Sequence, residues 1–506
     1  MPTSVDPSNF TVRHYCQGIG DCHLLKFLKT DGKPFWMLID CGIHTSISGG
    51  AKILDGIVED IRGLTPSLDV IVLTHEHADH ISGFLASADR FADFKIGEIW
   101  MAWTESEDDP QAQQLDKFKQ QALTALVDTS QRLNAATATL NLGMKSLQSG
   151  VDALLDFNFG AKGERIRALR EAAKSLAPDR IKYLEPGNPP LAIKGLPNLR
   201  VYVLAPSRDE SYLRITERDS EMYHLSGGDD GQIAHTLSCA FAASSSGGSL
   251  HDPTAPFDPS VGSALDSLGG DQAPSGPNTS VAQTFAYDHY FGPASTLGYA
   301  VRSRRPKRAN DANEHDQSWR RIDYDWLGAS ADLAMQLDNK TNNTSLVLAF
   351  ELIDTQRVFL FAADAQVGNW LSWQDTKWTL KGNHVVTGPD LLARTVYYKV
   401  GHHGSHNATL DKKGLNLMVN KDLSAFIPTN KVDAQNVHWG EMPFDGILTA
   451  LKERCGERVV RADDKWLLGT KAPFKVPSGS IQGIRSGPEK SPDGNLRRRW
   501  VEIDLS

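Results

Sequence analysis

The segment "THEHADH" places four potential metal ligands, His75, His77, Asp79 and His80, within six residues at H-x-H-x-D-H spacing. It directly follows "LDVIVL", a short continuous apolar run of the kind that forms a buried strand. In a loop that leaves such a strand, alternate residues can converge, so His75 and His77 can share one metal while Asp79 and His80 reach a second. Imidazole nitrogens and carboxylate oxygens suit Zn²⁺ at about 2.0–2.2 Å, and the same ligand types accept Mn²⁺ or Fe. The pattern therefore predicts a metal-binding loop.

One segment cannot complete two metal sites, and two later segments offer the missing side chains. "FLFAADAQ" places Asp364 just after an apolar strand, where its carboxylate could bridge two cations, as a dinuclear centre requires. "KVGHHGSH" follows another strand-like run and supplies a further histidine, either His402 or His403. The predicted ligand set therefore combines one local motif with two distant residues.

Strand-like runs alternate with helical segments around these residues, which predicts an α/β fold. "HLLKFLKT" and "PFWMLIDCGI" are strand-like, and "AKILDGIVEDIRGL" has helical periodicity. The strand pattern returns at "TSLVLAFEL", "RVFLFAADA" and "ARTVYYKVGHHGS". Two of these three runs end in the candidate ligands, so the strands are expected to deliver the site.

Two long segments interrupt this pattern. Residues 104–183 are polar and helical in periodicity, with a leucine every seven residues at Leu126, Leu133, Leu140, Leu147 and Leu154. Two interpretations of this segment stay open: a helical hairpin packed on the main body, or an arm for homodimerisation. Residues 207–335 are irregular and contain a stretch rich in Ser, Gly and Pro, which predicts a loop, a lid or a partly disordered insertion. They also carry the basic cluster "RSRRPKR" at 302–308.

The composition argues against several classes of protein. The chain has 506 residues, 40% hydrophobic and 23% charged, with a net charge of −9, so the whole molecule does not look like a non-specific nucleic-acid binder. Five cysteines without paired spacing argue against a disulfide scaffold and favour a reducing cytosol. The first residues lack the basic start and apolar run of a signal peptide, and no apolar run approaches the ~18 residues that span a bilayer. We therefore expect a cytoplasmic protein with no membrane partner.

The motifs resemble those of a known superfamily. "HEHADH" is similar to the second motif of the metallo-β-lactamase superfamily and "FAADA" to its fourth. "MLIDCG" resembles the first motif, in which the acid, here Asp40, supports the metal loop rather than binding metal. "QGIGDCHLLKF", "NNTSLVLAFEL", "KVGHHGS" and "FIPTN…HWGEMP" resemble one branch, which includes the competence-type DNA-uptake hydrolase domain and choline-phosphate esterase-like phosphodiesterases. The resemblance covers roughly 10–100, 195–206 and 340–450.

The resemblance implies an αββα sandwich, in which two mixed sheets lie face to face with helices outside and the site at one edge. It also implies that His75 and His77 bind one metal, that Asp79, His80 and a histidine of "HHGS" bind the other, and that Asp364 bridges them. We accordingly divide the chain into a first half of the metallo-hydrolase domain, a helical insertion, a core strand, an irregular insertion or lid, and a second half with a C-terminal tail, at residues 1–103, 104–190, 191–206, 207–340 and 341–506.

The sequence departs from the superfamily at the third motif, which normally adds a third histidine to the first metal. The branch that it resembles often has Asn and Ser at this place, and Asn343 and Ser345 stand here. His235, in "QIAHTLS", is the nearest substitute, but it lies in the irregular insertion. The first metal is therefore expected to be open, with water filling the gap, or weakly held.

The histidines of "HHGSH" are expected to have unequal roles. The superfamily commonly uses a histidine immediately before a glycine as a ligand, because the small residue lets the backbone pass close to the metal. This favours His403 as the last ligand of the second metal. His402 is then free to face the substrate and donate a proton to the leaving oxygen, although an exchange of these two roles stays open. His406 is expected to cap a turn or stay on the surface.

These expectations describe a dinuclear metal-dependent hydrolase with two divalent ions, preferably Zn²⁺ and alternatively Mn²⁺. Two cations can bind a bridging water and lower its pKa toward neutrality, so that a hydroxide attacks the substrate. Asp79 and His402 are the candidate catalytic residues. The branch resemblance favours a phosphodiesterase or nuclease acting on a phosphate-ester or nucleic-acid substrate. Two alternatives stay open: a carbonyl-ester hydrolase of the lactonase, thioesterase or β-lactamase type, and a metal-holding binding or regulatory component of a multi-protein system.

Overall fold

The computed structural model divides the chain into two units. The main unit comprises Met1–Val127, Asp152–Asp229 and Ala334–Ser506, and the small unit comprises Asp128–Val151 and Asp230–Leu333. His235 and the basic cluster at 302–308 lie outside the described residues. The described residues are 10–135, 164–215, 218–222, 268, 273–277, 279–291, 341–436, 442–469, 471–490 and 496–506.

The described elements are mainly short strands and helices. The strands β1 to β17 are Phe10–Tyr15, His23–Leu28, Pro34–Ile39, Ser67–Val72, Lys95–Ala102, Ile181–Leu184, Leu191–Ile193, Leu196–Ala205, Val347–Leu352, Arg357–Phe361, Lys377–Thr379, Val385–Thr387, Thr395–Lys399, Ser424–Ile427, Val459–Arg461, Ile481–Lys490 and Leu496–Leu505. The α-helices α1 to α11 are Gly50–Leu64, Ala78–Ala86, Ala88–Phe91, Pro110–Ala135, Glu164–Lys174, Glu210–Leu213, Val281–Ala286, Val367–Trp373, Gly388–Ala393, Lys431–Asn436 and Asp445–Cys455.

The strands of the main unit form two large mixed sheets. The first sheet has eight strands in the order β16-β17-β1-β2-β3-β4-β5-β6, and β3 to β6 run parallel. The second has seven strands in the order β15-β14-β13-β10-β9-β8-β7, of which β10, β13, β14 and β15 are parallel. A separate two-stranded sheet joins β11 and β12. Each large sheet therefore combines a parallel half with an antiparallel half.

Three apolar clusters show how these sheets are layered. Between the sheets, Phe10 of β1 meets Phe359 of β10 edge-on, with ring centroids 4.8 Å apart. On the outer face of the first sheet, Ile57 of α1 is buried among strand residues. On the outer face of the second sheet, Trp370 of α8 packs near Tyr398 of β13, with ring centroids 6.0 Å apart. The order of layers is helix, sheet, sheet, helix, so the predicted αββα sandwich is confirmed.

Strand β4 illustrates why the sequence forms this sandwich. Val70 and Val72 belong to the cluster between the sheets, whereas Ile71 between them belongs to the cluster under the helices. Successive side chains of a strand point to opposite faces. A strand that is covered on both faces must be apolar at nearly every position, which explains the continuous run in the sequence.

Among the described residues, the segment after β5 contains the helices α4 and α5 and then a strand. Helices α4 and α5 occupy much of it, while Ile181–Leu184 forms β6 and pairs in parallel with β5. The core strand predicted at 191–206 is a hairpin of β7 and β8. No helix among the described residues combines the length and apolar character needed to cross a membrane.

In the small unit, the described residues are the end of α4, residue 268 and the stretch from 273 to 291 except residue 278. A capping box starts α7: the Ser280 hydroxyl accepts from the Gln283 amide nitrogen at 3.1 Å, and the Gln283 side chain accepts from the Ser280 amide nitrogen at 2.9 Å. A short π-helix, Tyr287–Phe291, follows directly.

Candidate metal centre

The predicted ligands follow the carboxyl ends of neighbouring parallel strands. Asp40 follows β3, the loop 73–77 follows β4, Asp364 comes after β10, and residues 402–404 come after β13. Strands β3 and β4 are parallel neighbours in the first sheet, as are β10 and β13 in the second. The carboxyl ends of parallel strands meet at the same edge of a sheet, so each sheet contributes a pair of loops to one site.

The metal loop passes directly into α2. His77 is the N-cap of this helix and Asp79 lies in its first turn, where the helix dipole favours a carboxylate. The loop also packs closely on two glycines. A Cβ on Gly42 would lie 2.3 Å from the carbonyl carbon of Asp79, and a Cβ on Gly20 would lie 2.6 Å from its carbonyl oxygen. The glycines of "GIGD" and "DCG" thus let the backbone of neighbouring loops approach Asp79.

Four of the predicted ligands form one compact group: Asp79, His80, Asp364 and His403, with donor atoms all within 4.8 Å of one another. His403 Nε2 lies 2.9 Å from Asp79 Oδ2 and 3.5 Å from Asp364 Oδ2. His80 Nε2 lies 3.1 Å from Asp364 Oδ2. All four residues are buried, so these groups meet away from solvent.

Burial and the neighbouring charges shift the pKa values of these side chains in opposite directions. Burial raises the pKa of Asp79, but His80 and His403 outweigh this and hold that pKa well below its usual range. Burial likewise raises the pKa of Asp364, and the same two histidines bring it well below the usual range. In the opposite sense, burial lowers the pKa of His403, but Asp364 and Asp79 raise it to about 9. Two buried carboxylates are thus kept ionised and require positive charge beside them.

The donor set fits a bound cation. Among the described residues, Asp79 Oδ1, Asp364 Oδ1 and His80 Nε2 are fully buried atoms without a hydrogen-bond partner. Buried polar atoms are normally satisfied, so atoms of this kind need an explanation such as an ion. They belong to nitrogen and carboxylate groups, which bind Zn²⁺ and related metals. This part of the site is therefore suited to hold a divalent metal.

His75 and His77 lie next to this group. Their rings are close, with His75 Nε2 3.1 Å from His77 Nδ1, and His75 Nε2 lies 3.9 Å from Asp364 Oδ2. Burial lowers the pKa of His77 to about 4, and burial, helped by His80 and His77, also lowers the pKa of His75 well below its usual range. Both are therefore neutral near pH 7, which is the form that binds metal. Asp364 is the carboxylate that lies near both histidine sets.

At the position of the third motif, Asn343 and Ser345 are both buried, and the Asn343 side chain contacts the protein backbone. Asn343 donates to the backbone carbonyl of Ile215 at 2.9 Å and is fully buried. Ser345 is also fully buried. Asn343 is therefore engaged by the backbone after α6. The question of a third histidine stays open, because His235 is outside the described part of the chain.

Asp40 supports His80 from behind. Its carboxylate accepts from the Thr74 amide at 2.8 Å, from the Thr74 hydroxyl at 2.6 Å and from His80 Nδ1 at 2.8 Å. A carboxylate that holds one ring nitrogen of a ligand histidine fixes the ring orientation and its tautomer. His80 Nε2 consequently points at Asp364, as a ligand at this place requires.

The two adjacent histidines of "HHGS" occupy different surroundings. His402, His403 and Gly404 have positive φ angles of 41°, 55° and 80°, and the two rings have centroids 6.0 Å apart. Of the two, only His403 joins the compact group with Asp79, His80 and Asp364. The sequence suggested that a glycine follows His403 so that the backbone can pass close to the metal, but the structure shows a different close approach. A Cβ there would lie 2.7 Å from Cβ of Pro443, so the close approach that favours glycine is to this proline.

His402 is held by a hydroxyl rather than by a carboxylate. Ser405 Oγ donates its hydrogen to Asn407 at 2.9 Å and lies 2.7 Å from His402 Nδ1. A Ser405 hydroxyl that donates to Asn407 can only accept from His402 Nδ1, and in that tautomer Nε2 is an acceptor. Burial lowers the pKa of His402 to about 4. The ring is therefore neutral unless a nearby negative charge raises its pKa.

A buried ion pair behind the ligands was not predicted from the sequence. Lys399, the last residue of β13, donates to Asp21, and both side chains are almost fully buried. Asp21 Oδ2 lies 3.9 Å from His80 Nδ1 and 3.5 Å from His23 Nε2. Burial raises the pKa of Asp21, but Lys399 and then His23 outweigh it and lower it well below the usual range. The only signal for this pair was a lysine at the end of an apolar run, beside "GHHGS".

The comparisons with known proteins agree with this geometry in part. Residues 18–137 match the model of the Metallo-beta-lactamase superfamily. The matched range includes Asp40 and the loop "THEHADH", but it ends before Asp364 and His403. No curated protein matches the chain. Together, the family match and the buried group of Asp and His side chains indicate a metal-dependent hydrolase.

Proposed function

We propose that the chain is a metal-dependent phosphodiesterase or nuclease that holds two divalent cations. His75 and His77 would hold one cation, Asp79, His80 and His403 would hold the other, and Asp364 would be shared. The preferred metal is Zn²⁺ because of the nitrogen-rich ligand set, and Mn²⁺ is the alternative. The observation that carries the proposal is the compact buried group, with its unsatisfied carboxylate oxygens.

Bound divalent cations would lower the pKa of a water molecule toward neutrality and stabilise the negative charge that develops on the oxygens of the ester. Two divalent cations would outweigh the charges of Asp79 and Asp364, so the loaded site would attract an anionic ester more strongly than a neutral one. This favours a phosphodiester over a lactone or thioester. The resemblance of "GIGD" and "KVGHHGS" to phosphodiesterases supports the same choice.

The chain itself supplies orientation and a proton donor. Asp40 orients His80 by accepting from its Nδ1 at 2.8 Å, and Ser405 orients His402. His402 is the proposed proton donor to the leaving oxygen. Its neutral ring can take up the proton when the charge of a bound phosphodiester raises its pKa. Asp79 would contribute to catalysis as a ligand.

The decisive experiment combines metal analysis with hydrolysis of bis(p-nitrophenyl) phosphate. The purified chain should contain close to two transition-metal ions and should hydrolyse this diester. The variant Asp79→Ala/His80→Ala should lose a metal ion and at least about 100-fold in rate, the scale expected when a preorganised charge-stabilising group is removed. Asp89→Ala, an exposed acid three residues after α2 ends, serves as the matched control and should change neither property.

Three results would count against the proposal. A purified protein that binds no transition metal would remove its premise. Hydrolysis of lactones or thioesters without hydrolysis of the diester would favour the carbonyl-ester alternative. Metal binding without hydrolysis of any ester would favour a binding or regulatory protein.

A further inference from the structure

We propose that helices α4 and α5 are a working part of the metal centre, because their cations hold Glu76 and thereby position the loop that carries His75 and His77. This inference rests on the proposed function in one respect, namely that these two histidines are metal ligands. It assigns positioning roles to Glu76, Lys119 and Arg170, which lie outside the predicted ligand set.

Glu76 stands between the two histidines in the chain and faces away from them. The rings of His75 and His77 meet each other at 3.1 Å, whereas the carboxylate of Glu76 meets side chains of α4 and α5. Glu76 is 6% exposed. A shift of this carboxylate would therefore move the backbone on both sides of it, and with it both imidazoles.

Both cations that neutralise Glu76 come from the helical segment. Lys119 of α4 donates to Glu76 Oε2, and Arg170 of α5 donates to Glu76 Oε1 at 2.6 Å. Arg170 also donates to Glu105 at 3.2 Å. In the part of the chain that the structure describes, these are the cations within ion-pair distance of Glu76. Without this segment, a buried carboxylate in the middle of the metal loop would lose its compensation.

Helix α5 is fixed on the same helix that the metal loop enters. Leu169 and Ala173 of α5 are buried in one apolar cluster with Ile81 and Phe84 of α2. Arg170 therefore has a rigid base on α2, while its guanidinium reaches the loop that precedes α2. Because packing already fixes α5 against α2, the pair between Arg170 and Glu76 costs only side-chain freedom when it forms. This is the arrangement expected of a support for ligands, since outer contacts of ligand groups commonly set metal affinity.

The test compares the metal-free and metal-loaded forms of the double variant Lys119→Met/Arg170→Met with wild type. In the metal-free protein, we expect faster hydrogen exchange of the amides of residues 74–80. In the loaded protein, chelator competition should show about 10–100-fold weaker binding of one of the two cations, with a smaller change for the other. Lys117→Met/Arg167→Met, two exposed cations on the same helices, is the matched control and should leave both measurements unchanged.

Two further variants separate positioning from general stability. Arg170→Lys keeps the charge and should restore most of the affinity that Arg170→Met loses. Glu76→Gln/Lys119→Met/Arg170→Met removes the buried charge of Glu76 together with its two cations, so it should fold if the double variant does not. It should still show faster exchange in residues 74–80.

Two outcomes would overturn the inference. The first is hydrogen exchange and cation affinity in the double or triple variant that equal those of the control. The second is equal weakening of both cations in Arg170→Met without recovery in Arg170→Lys. If wild type binds no metal, the proposed function fails, whereas the exchange measurement on the metal-free protein still decides whether α4 and α5 hold the loop.

Discussion

At the scale of single residues, His402 and His403 should separate metal binding from proton transfer. His403 Nε2 lies 2.9 Å from Asp79, so His403→Ala should reduce the metal content from about two ions toward one. His402 contacts Ser405 and Asn342 instead. We expect His402→Ala to keep both ions and to lower kcat by about 10²–10⁴, the usual contribution of a general acid or base. Metal analysis and steady-state kinetics with bis(p-nitrophenyl) phosphate check both outcomes.

His406→Ala provides the control for this pair, because His406 lies on the same turn and is near Phe444, with ring centroids 6.2 Å apart. It should leave metal content and kcat close to wild type. Loss of a metal ion in His402→Ala with retention of both in His403→Ala would exchange the two roles.

A second residue-scale prediction concerns the ion pair between Lys399 and Asp21. Lys399→Met leaves Asp21 buried beside His80 without its cation, so the free energy of unfolding should fall by about 3–5 kcal/mol. Asp21→Asn/Lys399→Met removes both charges and should recover part of this loss. Urea unfolding of the metal-free proteins measures both changes.

The matched control is Lys29→Met, which breaks the pair with Asp69 at 2.7 Å, where the two side chains are 24% and 28% exposed. It should cost no more than about 1 kcal/mol. Equal losses for Lys399→Met and Lys29→Met would show that the buried pair does not stabilise the fold.

These residues also show what the sequence can and cannot predict about a site. His75, His77, Asp79 and His80 are neighbours in the chain, so their spacing alone indicates shared chemistry. The pair of Asp21 and Lys399 spans 378 positions, and neither residue has a local pattern that names its partner. Such a contact depends on which strands become neighbours, and that is decided by the whole sandwich.

At the scale of elements, the continuous apolar runs were predictable because strands covered on both faces need apolar residues at every position. Strand β6 was harder to predict. Its residues, Ile181–Leu184, follow a polar helical segment, and the strand is defined by parallel pairing with β5 rather than by a pattern of its own. The support of Glu76 by α4 and α5 was missed for a similar reason, since exposed and buried charges look alike in a helical sequence.

The pKa of Glu105, just after β5, leads to a prediction about how stability depends on pH. Burial and the nearby carboxylate of Glu76 raise its pKa to about 8, although Arg170 and Lys119 oppose this. The folded state then holds a proton that the unfolded state has lost above about pH 4.5. The unfolding free energy therefore falls as the pH rises through about 8. Glu105→Gln cannot ionise, so its stability relative to wild type should increase by up to about 2–3 kcal/mol between pH 6 and pH 8.5.

Thermal or urea unfolding at both pH values measures this difference, and subtraction of the two proteins cancels the other titrating groups. Glu107→Gln is the control, because the Glu107 side chain is 72% exposed, although its partner Lys174 is buried. Its stability relative to wild type should be the same at pH 6 and pH 8.5. A constant difference for Glu105→Gln as well would mean that Glu105 titrates normally.

At the scale of the whole molecule, the two sheets are assembled from distant parts of the chain. Strand β17 lies between β16 and β1, with Val12 opposite Ile503 in an antiparallel register. The first and last described strands are therefore neighbours in one sheet, although 490 residues lie between Val12 and Ile503 in the sequence. The sequence indicated the sandwich through its motifs, but the pairing of β1 with β17 has no local signal.

The last prediction follows from the division into units. Both large sheets and all six predicted ligands belong to the main unit, whereas Asp230–Leu333 belongs to the small unit. A chain in which residues 230–333 are replaced by a flexible Gly/Ser linker of about 20 residues should therefore unfold cooperatively and bind as many cations as the full chain, because flexible connections cost little closure entropy. Removal of residues 496–506, which form β17 and its end, is the contrasting control and should abolish cooperative unfolding. Circular dichroism during urea unfolding and metal analysis measure these outcomes.

Loss of a cation from the linker variant would place a ligand in the replaced segment, with His235 as the first candidate. Retention of both cations with loss of diester hydrolysis would instead assign the segment to substrate binding.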